Sequence, residues 1–493
     1  MNRNHVRLLS SAGVLALAVV LMLLPLSARE TSPTRSMEDG LDRLIAGRKP
    51  SSIDVGLYAV ALDSGRVLCS RSADTSMVPA SNMKLVTAAA ALWTLKPDYV
   101  YETPFYTTAP PRNGVLMGDL FVQGRGAPDL VCENLWVMAR QLRNLGIREV
   151  RGSLVGDDSF FDEPARHQAW KSSYAHRAFA APIGALSCNF NSVNILVRPA
   201  ERSGTRPVVV VDPFDDFFDV INTASTRRGK MTLTADRRYR DGRNQVVIGG
   251  TIPVNHPMSV TLRSVEDPTG YFLSSFVEVA QEVGITFAQP PRTGPVPEGA
   301  EEIYAFESRS LGRLLVEMNK YSNNFTAEMV LKTLGAEVLG PPGTTAKGLQ
   351  AVDAYLRHHN FPMDGVVLDD ASGLSRHNRV TARLLAEVVR HVWSDFETGP
   401  EFFASLPVAG TDGTLKKRMT AGAALRRVRA KSGFINSTST LSGVAGNPVT
   451  GPVAFSILMN GRGLQNWNAK QLQDRICEVL AGSTPANWPG TDE

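Results

Sequence analysis

Three short stretches place a hydroxyl beside an amine or an amide: Ala80-Ser81-Asn82-Met83-Lys84, Tyr321-Ser322-Asn323-Asn324 and Ala430-Lys431-Ser432-Gly433. The first supplies a candidate nucleophile, Ser81, and a candidate base, Lys84. Positions i and i+3 of a helix share a face, so Lys84 stands over Ser81. The positive end of the helix dipole points at the serine oxygen. Alanine-rich surroundings desolvate the lysine and lower its pKa, as a general base near neutral pH requires. In the second stretch Ser322 can relay a proton to a leaving amine and Asn324 can bind a peptide carbonyl. A Tyr321-Ser322-Asn323 reading competes there with Ser322-Asn323-Asn324. In the third, Lys431 and Ser432 can jointly hold a terminal carboxylate, and Gly433 lets a substrate backbone lie along the strand. Each stretch alone has a plain structural alternative: a capping serine with a solvated lysine, a polar helix start, a solubilising lysine at a strand edge. Their order and placement give them weight. They fall at a helix start, a helix break and a strand end.

The elements that must position them are legible from periodicity. Residues 53 to 69 read as a hairpin, with Val55, Leu57 and Ala59 alternating against Asp54, Gly56 and Tyr58 and a turn at Asp63-Ser64-Gly65. Met83 to Leu95, with Ala88 to Ala91 in its middle, reads as a helix buried in a domain centre. Leu425 to Ala430, Ser439 to Ala445 and Pro452 to Met459 read as strands, with Gly433-Phe434-Ile435-Asn436 and Gly446-Asn447-Pro448 between them. A last helix spans Asn466 to Leu480. Leu311, Leu314, Leu315 and Met318 mark another helix, and Asn324 to Leu334 continues after the break at Tyr321-Ser322. The expectation is an α/β (α+β) fold: one antiparallel sheet of five strands from distant segments, flanked by helices. Residues 106 to 294 carry short β-like runs, such as Pro207 to Val211, Val246 to Ile248 and Ser259 to Leu262, and read as an inserted β-rich region. The expected divisions are a leader at 1–28, a catalytic domain from 45–105 and 295–482, and the insert at 106–294. The insert is expected to fold as its own unit and to shape access rather than perform chemistry.

At 493 residues the chain exceeds one ordinary core, and 43% hydrophobic with 20% charged residues describes a globular protein. The formal charge is +4, with Arg3 and Arg7 of the leader contributing two, too little to argue for a nucleic-acid partner. Those arginines, the apolar run Ala12 to Leu24 and Pro25-Leu26-Ser27-Ala28 read as an export signal, too short for a membrane span. The expectation is a periplasmic location, with membrane contact only through an uncleaved leader. Cys69, Cys132, Cys188 and Cys477 permit disulfides in that compartment. Cys132 and Cys188 are the favoured pair, with isolated buried thiols as the alternative. No spacing suits zinc, no metal or cofactor is implied, and His358-His359 reads as an exposed helix end. G-x-S-x-G, H-E-x-x-H and P-loop patterns are missing.

Taken with what surrounds them, the motifs resemble the S-x-x-K, S-x-N and K-T-G set of low-molecular-mass penicillin-binding proteins of the D-alanyl-D-alanine carboxypeptidase/endopeptidase type. Ala327-Glu328, Asp370 to Ser375 with Asn378-Arg379-Val380, Leu406 to Gly410 with Asp412 to Leu415, and Leu441-Ser442-Gly443 extend the likeness from about residue 50 to 480. It selects Ser322-Asn323-Asn324 as the second motif. The long separation of Ser81 from Ser322 fits this family, which inserts domains there, rather than β-lactamases. Ser432 replaces the usual Thr and keeps the hydroxyl, Phe434 replaces a commoner Thr, and Gly126-Ala127-Pro128-Asp129 lacks an acid often present. The resemblance implies a serine DD-peptidase acting on peptidoglycan stem peptides and inhibited by β-lactams. Ser81 would be acylated, with the backbone N–H groups of Ser81 and Phe434 as oxyanion hole. Ser322 and Lys84 would pass the proton to the leaving amine, and Asn324, Lys431, Ser432 and Gly433 would bind substrate. A β-lactamase on the same scaffold and a non-catalytic wall-binding protein are the alternatives.

Overall fold

The hairpin and the three C-terminal strands join into a single sheet. In the computed structural model, which describes residues 33–48, 52–162, 165–213 and 216–482, Ile53–Ala61 and Val67–Arg71 form the hairpin. The strands Val428–Ile435, Thr438–Asn447 and Gly451–Gly461 complete an antiparallel sheet of five. Ile53–Ala61 pairs with Gly451–Gly461, which places Val428–Ile435 at one edge. The expected leader, residues 1–28, and all but the first residue of the polar tail lie outside the described residues. No helix among the described residues is long and apolar enough to cross a membrane.

Alternation along the first strand assigns its two faces. Tyr58 and Val60, with Val444, Ala454 and Leu458, pack against the Met83–Leu95 helix and its neighbours. Leu57, Ala59 and Ala61, with Leu441, Phe455 and Ile457, pack against Pro33–Arg48 and Asn466–Leu480. From the latter helices Leu41, Ile45, Leu472, Ile476 and Leu480 are buried. Helices therefore cover both faces. Met83–Leu95 is buried from Met83 to Leu92, because its alanines let Leu311–Lys320, Asn324–Leu339, Thr345–His358 and Ala382–Ser394 approach closely. It stops at Lys96, which has positive φ and precedes Pro97.

Between the halves, Glu102–Thr107, Leu120–Gln123, Leu154–Asp157, Arg292–Thr293 and Glu301–Glu307 form a second five-stranded sheet. Its strands Glu102–Thr107 and Glu301–Glu307 pair across the expected limits of the insert. The β-like runs are found as Val208–Asp212, Arg243–Gly249 and Ser259–Ser264 in smaller sheets. Two helices unforeseen in this region, Cys132–Asn144 and Pro268–Glu282, pack together through Leu135, Met138, Phe272 and Phe276.

Three expectations need correcting. The strand at Val428 does not end at Lys431 but runs to Ile435, and the turn is Asn436-Ser437. The pairing of Cys132 with Cys188 is not present: all four cysteines are free, and the Cys132 thiol donates to Glu133 instead. His358 is the exposed helix end, but His359 packs among Trp93, Tyr355 and His391.

Candidate active site

Ser81 lies in a 3-10 turn, Ala80–Asn82, that leads directly into the Met83–Leu95 helix. Ala80 has a φ of 46°, so the chain enters Ser81 through a left-handed bend. Two contacts hold that bend. Thr440 Oγ1 donates to the carbonyl of Pro79 at 2.8 Å, and the loop at Gly373 presses so closely that a Cβ there would stand 1.8 Å from the Ala80 oxygen. The Ser81 side chain does not cap the helix. Its Oγ faces Lys84 Nζ at 3.2 Å instead.

Lys84 is fully buried, and its Nζ also reaches Asn324 Oδ1 and the Ser372 carbonyl, each at 2.7 Å. Burial lowers its pKa to about 7, against the opposing pull of Asp370 and Glu328. A neutral amine has two N–H groups and one lone pair. The two carbonyl oxygens take the two N–H groups, which leaves the lone pair for the Ser81 hydroxyl. The arrangement can accept that proton.

Asn324 begins the Asn324–Leu339 helix, after a turn in which Ser322 has a φ of 60°. Asn323 caps this helix by accepting from Thr326 N, so Asn324 rather than Asn323 faces Lys84. The Asn324 amide also donates to the Phe179 carbonyl at 2.9 Å. One N–H and one lone pair of that amide remain for a substrate.

Lys431 is fully buried, and its Nζ lies 2.8 Å from Ser322 Oγ and 2.8 Å from the Ser432 carbonyl. Both partners are neutral, and among the described residues no carboxylate pairs with it. Burial, with the nearby Lys84, holds its pKa well below the usual lysine range. Ser432 Oγ sits at the more accessible edge, 2.7 Å from Thr414 Oγ1.

The edge strand also aims backbone donors into the cleft. Ala430 N bonds outward to the Pro407 carbonyl, and N–H direction repeats every second residue, so those of Ser432 and Phe434 point the same way. Gly433 lies against the serine turn: a Cβ there would be 2.9 Å from Ser81 N and 2.3 Å from Thr440 Oγ1. Phe434, the second expected oxyanion donor, follows Gly433 on the same strand and is half-exposed.

The structure links Ser81 with Lys84 and Asn324, links Ser322 with Lys431 and Ser432, sets Gly433 against the serine turn, and adds a second layer. Glu328 accepts from the backbone N–H groups of Ala371 and Ser372, and burial beside Asp370 raises its pKa. Asp370 accepts from Gly373 N, Ser375 N and Asn378 Nδ2, each at 2.7 Å. These two acids shape the loop whose Ser372 carbonyl holds Lys84. In the sequence Glu328 stood out only as part of Ala327-Glu328 in the family likeness, although an acid in the mostly apolar stretch Phe325 to Leu331 is a signal that could have pointed to it. The insert also reaches the site, through Phe179 on Asn324 and Trp170 on Asp370. These two hydrogen bonds tie the insert to the residues around Lys84.

A five-stranded antiparallel sheet with helices on both faces, a serine at the start of the central helix and a lysine on the edge strand define the penicillin-binding, β-lactamase-like class of fold. The solved structure of penicillin binding protein 4 from Haemophilus influenzae superposes with a TM-score of 0.79 at 23% identity, over 89% of this chain and 98% of that one. The chain belongs to the D-Ala-D-Ala carboxypeptidase 3 (S13) family, which it matches over residues 38–482. It is 33% identical over 472 residues to the D-alanyl-D-alanine carboxypeptidase of Actinomadura sp. (strain R39), covering 90% of this chain and 86% of that protein. It is 25% identical over 429 residues to penicillin-sensitive carboxypeptidase A of Dictyostelium discoideum, covering 82% of each. Its activity is that of a serine-type D-Ala-D-Ala carboxypeptidase.

Proposed function

We propose that the chain cleaves peptidoglycan stem peptides through an acyl-enzyme on Ser81, acting on terminal D-Ala-D-Ala and on the cross-links between stems. The observation that carries this reading is Lys84 Nζ, held by two carbonyl oxygens with its remaining valence on Ser81 Oγ. Lys84 takes the serine proton as Ser81 attacks the carbonyl. The N–H groups of Ser81 and Phe434 bind the oxyanion, each worth about 3–4 kcal/mol in comparable sites. Lys84 and Ser322, the latter hydrogen-bonded to Lys431, pass that proton to the leaving amine, and water then cleaves the ester. Asn324 orients the substrate amide, and Gly433 lets its backbone lie along the edge strand.

A substrate carboxylate at Ser432 and Thr414 supplies the counter-charge that buried Lys431 lacks. Lys431→Ala is therefore expected to lower kcat/KM for a free-acid substrate by more than about tenfold, the range of a charge-assisted hydrogen bond. A substrate amidated at that terminus should lose much less. Equal losses on both would assign Lys431 to the structure alone.

Since the neutral amine is the base, acylation is lost as pH falls through the Lys84 pKa of about 7. The second-order rate of penicillin acylation should fall about tenfold per pH unit below that point and level off above it. A flat profile from about pH 5 to pH 9 would exclude a lysine of this pKa as the base.

The catalytic domain comprises residues 45–105 and 295–482 in this reading, and the insert at 106–294 limits which strands reach Ser81. Residues 1–28 act as an export signal to the periplasm. Fluorescent penicillin tests the whole reading: the peptidase keeps the label, a β-lactamase loses it rapidly, and a binding protein never acquires it.

A further inference from the structure

We propose that Trp170, in the insert, is a positioning residue for the base: its indole N–H holds the Asp370 carboxylate, and through it the loop whose Ser372 carbonyl fixes Lys84. The inference rests on Lys84 as the base.

Trp170 is buried, and its Nε1 donates to Asp370 Oδ2 at 2.8 Å. Asp370 is fully buried. The other donors described for it are the N–H groups of Gly373 and Ser375, the Asn378 amide and, at 3.3 Å, the Ser372 hydroxyl. All of these lie within the next eight residues, so they fold the loop on itself without placing it in the molecule. Trp170 comes from a segment 200 residues away. It ties that loop to the insert. On its other side the loop meets the catalytic helix twice. Ser372 O accepts from Lys84 Nζ, and Ala371 O accepts from Thr87 Oγ1 at 3.0 Å. Gly373 presses on Ala80, the residue before the nucleophile.

The bond also acts electrically. Asp370 and Glu328 face Lys84 and favour its charged form, and Lys431 on the edge strand lies near enough for Lys84 to disfavour the charge of Lys431. A donor on Asp370 offsets part of that carboxylate's field. With the indole N–H removed, the same carboxylate stabilises the Lys84 ammonium more strongly.

Trp170→Phe keeps an aromatic ring and deletes the donor. The expected result is a folded enzyme whose acylation by penicillin at pH 7 is slower by about tenfold, the scale of one hydrogen bond to a charged group. Its acid limb should move to higher pH by about half a unit or more. Loss of packing alone lowers rate and melting temperature but leaves the limb in place. An unmoved limb in a folded variant overturns the proposal, whatever the rate. If Trp170→Phe fails to fold, benzothienylalanine incorporated at position 170 preserves the shape and removes only the N–H, and the same limb is read. Lys84→Met, assayed alongside, separates the two ideas. Retained acylation there removes the base assignment itself, whereas an inactive Lys84→Met beside an unmoved limb removes only the role of Trp170.

Discussion

Ser81→Ala is expected to fold normally and to take up no penicillin label. The side chain makes no capping bond, and the contact described for its Oγ is with Lys84, so its removal forfeits one hydrogen bond, about 0.5–1.5 kcal/mol. Ala80, Thr440 and Gly433 still shape the turn, because they hold its backbone rather than the hydroxyl. The chemical loss is complete, since among the described residues Ser81 supplies the one hydroxyl bonded to Lys84 Nζ, and Ser322 Oγ is engaged with Lys431. Gel fluorescence after incubation with labelled penicillin, beside a melting curve, gives the answer. A Ser81→Ala protein that still labels would move the nucleophile elsewhere.

Lys84→Arg should be nearly inactive for a different reason. A guanidinium keeps its proton at any working pH, so it cannot accept one from Ser81. Loss of a general base lowers rate by about 10²–10⁴. The site is also fully buried, and the larger head group would crowd Asn324 and the Ser372 carbonyl. Lys84→Met removes the base without that crowding, and the two substitutions together separate chemistry from packing. Acylation rates for both, measured with penicillin, should fall into the same range. If either stays within about tenfold of the unmodified enzyme, a different group accepts the proton.

Much of this architecture is set by local pattern. The Met83–Leu95 helix and the Asn466–Leu480 helix occur with the bounds expected from their apolar spacing, and the hairpin at Ile53 lies where period-two alternation placed it. Of the C-terminal strands, Thr438–Asn447 and Gly451–Gly461 follow the same rule, whereas the first begins at Val428 rather than Leu425 and runs on to Ile435. These features depend on neighbours a few residues apart, so a linear chain displays them. The three hydroxyl-bearing motifs were legible too, because their order and their placement gave weight to signals that are weak one by one.

What the sequence could not display is burial and its consequences. Lys431 stands on a strand edge, where a lysine is usually solvated, yet the turn at Ser322 covers it completely. The strand continues through Gly433 because Thr438–Asn447 pairs with it along its whole length, a partner that local propensity does not reveal. Cys132 and Cys188 are free thiols although the expected export and their common segment favoured a bridge. Asp370 and Glu328 become part of the site only because two distant segments meet beneath Lys84. Trp170 and Phe179 enter it from an insert that contains none of the motifs. The amino-acid sequence by itself pointed to Ser81 as candidate nucleophile, to the two lysines and to the elements that carry them. The tertiary structure decided which of those groups lose water and which carbonyls hold the base, because desolvation and hydrogen-bond direction depend on residues hundreds of positions away.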